Sequence, residues 1–450
     1  MTVSSRLVLV CDVAVSSGFE GPGGGWLSGP HVETYTDHKG RTVRTDGAAR
    51  ASNFPASLAG RLFGNHGDTP NRTRFATGPL GVRWDTGDVD LPASTTLHHA
   101  ELLIAAPGAH DGARNRAGVL ALHFEVVAAD FADAVHVANN LARQRGGSGE
   151  SQLHGALTYS QLRRLHPGLC SGIVLPTDAE AGTETEPTIY SRMMLDQMRG
   201  EGADPQALDV RQAYSAASGQ DIKELHASAD ALDRASASAL RLSRSWSALF
   251  LRHGASFLVH TEVDDPYREY MPIYFGSLYA DALMLVRLQV LMVRQMESAA
   301  ESLLEQAAAN PHLGAVSDGF EALDRQLAVN SARYWMRRSE SNAGNSVKVI
   351  HGIQDAMSFT TRLGALDAQI DGLARLSDAD AQKSHLAAQN RLAAVVTLMG
   401  SIAIPVTIAI DAFQLLGLPV TAVTLAGLVV TIALFAGITW KGLTRLMPRS

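Results

Sequence analysis

Two uncharged apolar runs, Leu392 to Ile410 and Leu418 to Trp440, constrain this chain more than any other feature. A helix needs about 20 apolar residues to cross the hydrocarbon of a bilayer, and both runs are long enough. Lys383 and Arg391 precede the first run, and Lys441, Arg445 and Arg449 follow the second. The link between them, Asp411 to Gly417, carries no Lys or Arg. The positive-inside rule therefore predicts a transmembrane hairpin in a cell membrane, with two spans, both termini cytoplasmic and the link outside. The competing account is a buried helical hairpin in a large soluble core, which would place that core at the extreme C-terminal end.

The first run is not apolar all round. At about 100° per residue, Asn390, Thr397, Ser401, Thr407, Asp411 and Gln414 fall within an arc of roughly 140°, with Gly400 inside it. The second run offers only scattered threonines. Intramembrane polar groups favour a bundle interior or a wet cavity over lipid, so this stripe predicts a pore-lining face in a homo-oligomer. The alternative is that the hydroxyls bond back to their own helix or glue the two helices together.

Asn390-Arg-Leu-Ala-Ala-Val-Val-Thr397, followed by Ile404-Pro405-Val406-Thr407-Ile408, resembles the first membrane helix of the CorA-like divalent-cation transporters. The resemblance implies a cytoplasmic α/β domain, a helical stalk, two C-terminal membrane helices and a pentameric pore lined by the first of them. Its motif support spans about 30 residues, whereas the order of parts covers most of the chain. One departure matters. Where the family closes its first helix with Gly-Met-Asn, this chain has Gln414-Leu415-Leu416. Leucine offers no amide oxygen to hold a hydrated cation, so an altered selectivity is expected.

The body that precedes the hairpin is acidic. Residues 391–450 hold four basic groups against one acidic, so of the whole-chain −7 the first 390 residues carry −10. Such a field argues against nucleic acid as a partner and is compatible with attracting cations. Cys11 and Cys170 form neither a disulfide framework nor a zinc spacing, and no motif fixes a histidine beside either, so no enzyme chemistry is expected. Leu7 to Val10 is too short for a secretory signal, and Asp12 interrupts it.

Along the body, Ser5 to Ser16 alternates as a strand. Gly18 to Pro30 reads as a loop, because no Lys-Ser/Thr follows its glycines to make a phosphate cradle. His31 to Thr45 reads as a hairpin turning at Lys39-Gly40, and Ala51 to Ser94 as loop-rich. Glu101 to Ala106 and Gly118 to Ala128 are strands, and Asp130 to Arg145 is a helix. His98, His99 and Glu101 lie close together, but adjacent histidines face opposite sides of a strand, so a surface pair is the preferred reading over a metal site. Tyr190 to Met198 is expected to begin a helix, residues 221–244 to form one helix, and Trp246 to Thr261 to form a hairpin.

Tyr267 to Ala309 is a long helix whose stretch Phe275 to Val293 tempts a third span. Asp281 and Arg287 near its middle would each cost about 2.5–3.5 kcal/mol to insert, so a buried helix of the body is expected instead. Phe320 to Arg338 is a further helix. Val347 to Gln389 is expected as the stalk, with Ile350, Ile353, Met357, Leu363, Leu366, Ile370 and Leu373 as a seam for packing against copies of itself. Asp371, Asp378 and Asp380 around an oligomer axis would form carboxylate rings for a divalent cation, although three such aspartates also suit a plain solvated surface.

The expected architecture is an α/β cytoplasmic domain (1–262), long helices and stalk (263–390), a transmembrane helical hairpin (391–441) and a basic cytoplasmic tail (442–450). The expected function is a homo-oligomeric cation channel or transporter, with the bilayer and its own copies as partners, a divalent cation as the only candidate cofactor and no catalytic residues. The alternative is a non-conducting membrane-anchored sensor or adaptor, or a membrane-acting effector of a bacterial conflict system.

Overall fold

Strand β1 (Val3–Ser16) alternates in sequence, yet both of its faces are covered. In the computed structural model, Leu7, Leu9, Cys11, Val13 and Val15 enter one apolar core, while Val8 and Val10, on the other face, are equally buried. The structure describes residues 3–16, 19, 25–37, 39–63, 73–84, 94–105, 115–142, 162–174, 191–198, 210–218, 227–252, 254–260, 270–309, 314–335 and 344–375, with single positions between 382 and 437. An α/β region comes first and helices follow it.

The strands after β1 are β2 (Trp26–Ser28), β3 (Thr34–Thr36), β4 (Thr42–Arg44), β5 (Arg74–Thr77), β6 (Val82–Trp84), β7 (Ser94–Ile104) and β8 (Asn115–Ala128). They are joined by β9 (Ile173–Val174), β10 (Ser191–Met198), β11 (Leu240–Arg241), β12 (Trp246–Leu251) and β13 (Gly254–His260). Apart from the β3–β4 hairpin they form one 11-stranded sheet, ordered β11-β12-β13-β10-β1-β8-β7-β5-β2, with β6 also on β7 and β9 also on β1. Pairing is antiparallel except between β10 and β13. The longest register is β1 on β8, from Val3↔Ala128 to Ser16↔Asn115.

The short helices are α1 (Gly47–Ala51), α2 (Ala56–Leu62), α3 (Phe131–Ala142), α4 (Val210–Ser218) and α5 (Ala229–Ser238). Helix α3 lays Ala134, Val135, Val137, Ala138 and Leu141 into the core that takes the odd-numbered residues of β1. Then α6 (Met271–Tyr274) passes through a π-helical segment, Phe275–Tyr279, into α7 (Ala280–Ala309). Met271–Ala307 is long and apolar enough to cross a membrane, but 94% of its most apolar window is buried inside the protein. Its two central charges have partners there. Arg287 donates from Nε and Nη2 to Asp12 of β1 at 2.8 and 2.9 Å, and Asp281 meets two arginines described below.

Helix α8 (Gly314–Tyr334) returns its terminal carbonyl to this layer, where Gln289 donates to the Tyr334 oxygen at 2.6 Å. Helix α9 (Asn345–Ala356) crosses β12 at Gly352, where an added Cβ would stand 2.5 Å from the ring of Phe250. Only glycine permits that approach. The helix then breaks at Ser358, a non-glycine residue at φ 55°, and resumes as α10 (359–375). By contacts the chain divides into two compact units, Met1–Glu305 with Gly319–Ile370, and Gln306–Asp318 with Asp371–Ser450.

Several expectations are corrected. Where a helix is expected to begin over 190–198, Ser191–Met198 form the strand β10: Met and Leu suit helices, but pairing with β1 on one side and β13 on the other overrides that weak preference. Among the described residues of the single helix expected over 221–244, only α5 is helical, started by the Ser228 side chain accepting from Ala231 N and followed by β11; Ile222 and Leu225 lie outside the described residues. The loop expected over 51–94 contains α2, β5 and β6, and the loop expected over 18–30 contains β2. The stalk is not continuous through Ser358, and Ile350, Ile353, Met357, Leu366, Ile370 and Leu373 are buried within a single chain. They are therefore not a free seam for other copies. Residues 146–150 and 177–187 lie outside the described residues, as does nearly all of 391–441.

Removing one partner of a buried ion pair strands the other charge. Asp12→Ala should therefore lower stability by roughly 3–5 kcal/mol, whereas Asp12→Leu combined with Arg287→Met should recover most of that loss. Chemical denaturation of the purified chain followed by circular dichroism reads both outcomes.

Candidate functional site: a buried cluster of charges and histidines

The register of β7 on β8 decides which histidine turns inward. Leu97 lies opposite Phe124, but the ladder then slips by one residue, so that His99 lies opposite His123. Without this bulge His98 would face His123. A bulge of this kind re-aims the side chains that follow it. Leu97 consequently joins the apolar core on one face, while His99, Glu101 and His123 share the other.

His98 remains outside and meets Glu125 at 3.3 Å. The expectation of a surface pair is thus half corrected. Adjacent strand residues ordinarily face opposite ways, but the bulge falls between these two: His98 meets Glu125, which alternates onto the face of His123, while His99 is buried at 3% exposure.

Around Glu101 four side chains form a closed set of charges. Arg74 of β5 and Arg50 of α1 both reach Asp281 of α7, Arg50 with one nitrogen at 3.0 and 3.1 Å from the two carboxylate oxygens. Arg74 Nη2 lies 3.0 Å from Glu101 Oε2, and Arg50 Nη1 lies 3.6 Å from Glu101 Oε1. All four side chains are almost wholly buried. Local structure holds the arginines. Asp46 caps α1 by accepting from Ala49 N at 3.0 Å, and Arg50 donates to the Thr45 carbonyl at 2.9 Å and to that of His31.

Three imidazoles stack beside these charges. His31 lies on His99 with centroids 3.8 Å apart and planes 13° apart, and His99 lies on His123 at 4.0 Å and 19°. His31 is half-buried and its Nδ1 lies 3.2 Å from the Thr77 carbonyl, while its backbone N–H donates to Glu101 Oε1 at 2.8 Å. A carbonyl only accepts, so this contact places the His31 proton on Nδ1 and leaves the Nε2 lone pair free. His123 Nε2 lies 3.2 Å from Glu101 Oε2. His99 Nε2, by contrast, has no hydrogen-bond partner.

The environment sets their protonation. Burial holds His99 far below the usual imidazole range, reinforced by repulsion from His123, and burial also lowers His31 against the pull of the Thr77 carbonyl and Glu101. For Glu101, burial opposes ionisation, but Arg74, Arg50 and His123 outweigh it and hold the carboxyl well below its ordinary range. Burial raises Asp281 against the same two guanidiniums. Burial thus disfavours the charged forms of His99 and His31 beside the two guanidiniums and the Glu101 carboxylate.

His99, Glu101 and His123 offer ligand atoms within 4.8 Å of one another, so among the described residues they form a group able to hold a metal ion. Both cysteines are buried and outside any disulfide, and burial pushes the Cys11 thiol up, away from nucleophilic use.

The residues expected to line a pore or bind cations are placed only in part. Asn390 and Thr397 are helical and exposed, and the Thr397 hydroxyl donates to the Ala393 carbonyl at 2.8 Å. Asp371 is exposed on α10. Ser401, Thr407, Asp411, Gln414, Asp378 and Asp380 lie outside the described residues. His31, Arg50, Arg74, His123 and Asp281 were not anticipated as one site. The available signals were the His99-x-Glu101 spacing, which puts both on one strand face, and two charges inside an apolar helix.

A histidine with a lowered folded pKa binds its proton more readily in the unfolded chain. Stability in chelator-containing buffer should accordingly be full above about pH 6.5 and fall below it, by up to about 1.4 kcal/mol per pH unit for each such histidine. His99→Gln should flatten that slope in thermal unfolding scans between pH 5 and 8. An unchanged slope would show that His99 is not held neutral.

No protein-family model matches the chain, and a search of curated proteins finds no match either. The chemistry of the site rests on its own geometry.

Proposed function

We propose that the protein is a CorA-like integral membrane protein of the cell membrane, assembled as a homo-oligomer and passing cations with a selectivity altered from the family's. The observation that carries this reading is where large apolar side chains remain uncovered. Seven are exposed among the described residues, and four of them, Leu386, Leu392, Val396 and Val430, lie beyond residue 380, where few residues are described. Three of the four belong to the two uncharged runs. Apolar surface at that density calls for lipid or another protein surface.

The polar stripe supports a conducting assembly. Asn390, Thr397, Ser401, Thr407, Asp411 and Gln414 share one side of the first run, and in a ring of copies that side would face the axis while the second run met lipid. Both termini would then be cytoplasmic, with the acidic body on the side from which cations are drawn.

The second reading, a membrane-anchored sensor or adaptor that conducts nothing, is favoured by two particulars. Leu415 and Leu416 stand where the family places its selectivity residues, and the Thr397 hydroxyl spends its proton on its own helix.

Reconstitution of the full chain in liposomes separates the two. With Mg²⁺, Co²⁺, Na⁺, K⁺ and Cl⁻ each tested, the channel reading expects cation flux that Asp411→Ala changes in rate or selectivity. Silence for every ion, from protein shown to be inserted and assembled, would leave the anchor reading in its place.

A further inference from the structure

We infer that His99, Glu101 and His123 bind one divalent transition-metal ion, with two imidazole nitrogens and one carboxylate oxygen as ligands. The inference concerns the α/β body alone and stands whether or not the hairpin conducts. The buried His99 Nε2 has no hydrogen-bond partner, and beside it His123 Nε2 and Glu101 Oε2 stand 3.2 Å apart. Buried polar atoms are nearly always satisfied, and one left without a partner among three residues whose ligand atoms lie within 4.8 Å of one another is an arrangement that a shared ligand resolves.

The donor set selects the ion. Imidazole suits Zn²⁺, Co²⁺, Ni²⁺ and Fe²⁺, whereas Mg²⁺ and Ca²⁺ favour carboxylate, carbonyl and water oxygens. The supports of a metal site are present as well. Arg74 and the His31 backbone N–H orient the Glu101 carboxylate, and Thr77 fixes the tautomer of His31, the half-exposed ring stacked on His99. Partners of this kind ordinarily orient the ligands of a metal site.

Two features set the character of binding. In-plane lone pairs of nearly parallel rings do not converge, so His99 and His123 must open from the 19° between their planes when an ion enters. Glu101 is also shared with Arg74 and Arg50, whose charges oppose a dication, while Asp281 offsets them. Binding is therefore weaker than in a closed four-ligand structural site and is reversible. Because Glu101 and Asp281 share both arginines, an ion that draws on Glu101 shifts the ionic contacts that hold α7.

Co²⁺ reports this site directly through its visible absorption. Full-length protein in detergent, stripped with chelator, should take up one Co²⁺ per chain with d–d bands of mixed nitrogen and oxygen ligation, and Zn²⁺ should displace it. His99→Asn and His123→Gln should abolish the bands, and His98→Asn, whose exposed ring meets Glu125, should retain them. Folding of each variant is checked by circular dichroism, and the wild-type protein decides the matter should a variant fail to fold. Absence of the bands from the wild type at micromolar free Co²⁺ overturns the inference, as do bands that persist in the folded His99→Asn and His123→Gln variants. Co²⁺ held only by oxygen ligands elsewhere in the chain would persist in both variants and so counts against the site.

Discussion

The body depends on one buried ionic set in which Arg50 and Arg74 are divided between Glu101 and Asp281. These four residues come from α1, β5, β7 and α7, so the set ties the edge of the sheet and a small helix to the long helix across it. Removing such charges from water is costly. What holds them is that positive and negative groups balance, and that Thr45, His31 and Met284 occupy further guanidinium positions. A second buried pair, Arg287 with Asp12, fixes the same helix to the central strand. The helix is apolar enough for a membrane, and these two carboxylate contacts tie its central charges to the sheet and α1.

A single irregularity in β7 determines the chemistry beside that set. The slip between Leu97 and His99 sets His99, not His98, opposite His123. It sends one to solvent, where it meets Glu125, and the other into a stack of three imidazoles against Glu101. Because strand side chains alternate with period two, one extra residue changes every assignment that follows. The same bulge keeps Leu97 with Phe124 in the opposite core, so packing and polar chemistry are satisfied together.

The two parts of the chain raise different functional questions. The C-terminal runs carry the resemblance, the polar stripe and the uncovered apolar side chains, and on these rests the reading of a membrane assembly. The body carries a titratable cluster that a purely structural domain does not need. A cation-passing oligomer with an ion-responsive body and an anchored sensor share this division of labour. They differ in whether ions cross at the first run.

Much of the local structure was legible in the sequence. The strands β1, β8, β12 and β13, the β3–β4 hairpin, helix α3 and the buried long helix all follow from periodicity, turn residues and the insertion cost of two charges. Periodicity misled where partners outrank propensity: β10 is a strand because β1 and β13 flank it, and the apolar seam of α9 and α10 is spent inside one chain. The site was beyond reach for a similar reason. His99 and Glu101 announce a shared strand face by their spacing, but His123, Arg74, Arg50 and Asp281 lie 22 to 180 positions away from Glu101 and meet it only through sheet register and helix packing. By itself the sequence determined which segments must be buried, because apolar pattern and charge cost are local quantities. Only the tertiary structure decided which buried charges face one another, because a one-residue slip in register, which no local pattern records, changes the face of every side chain beyond it.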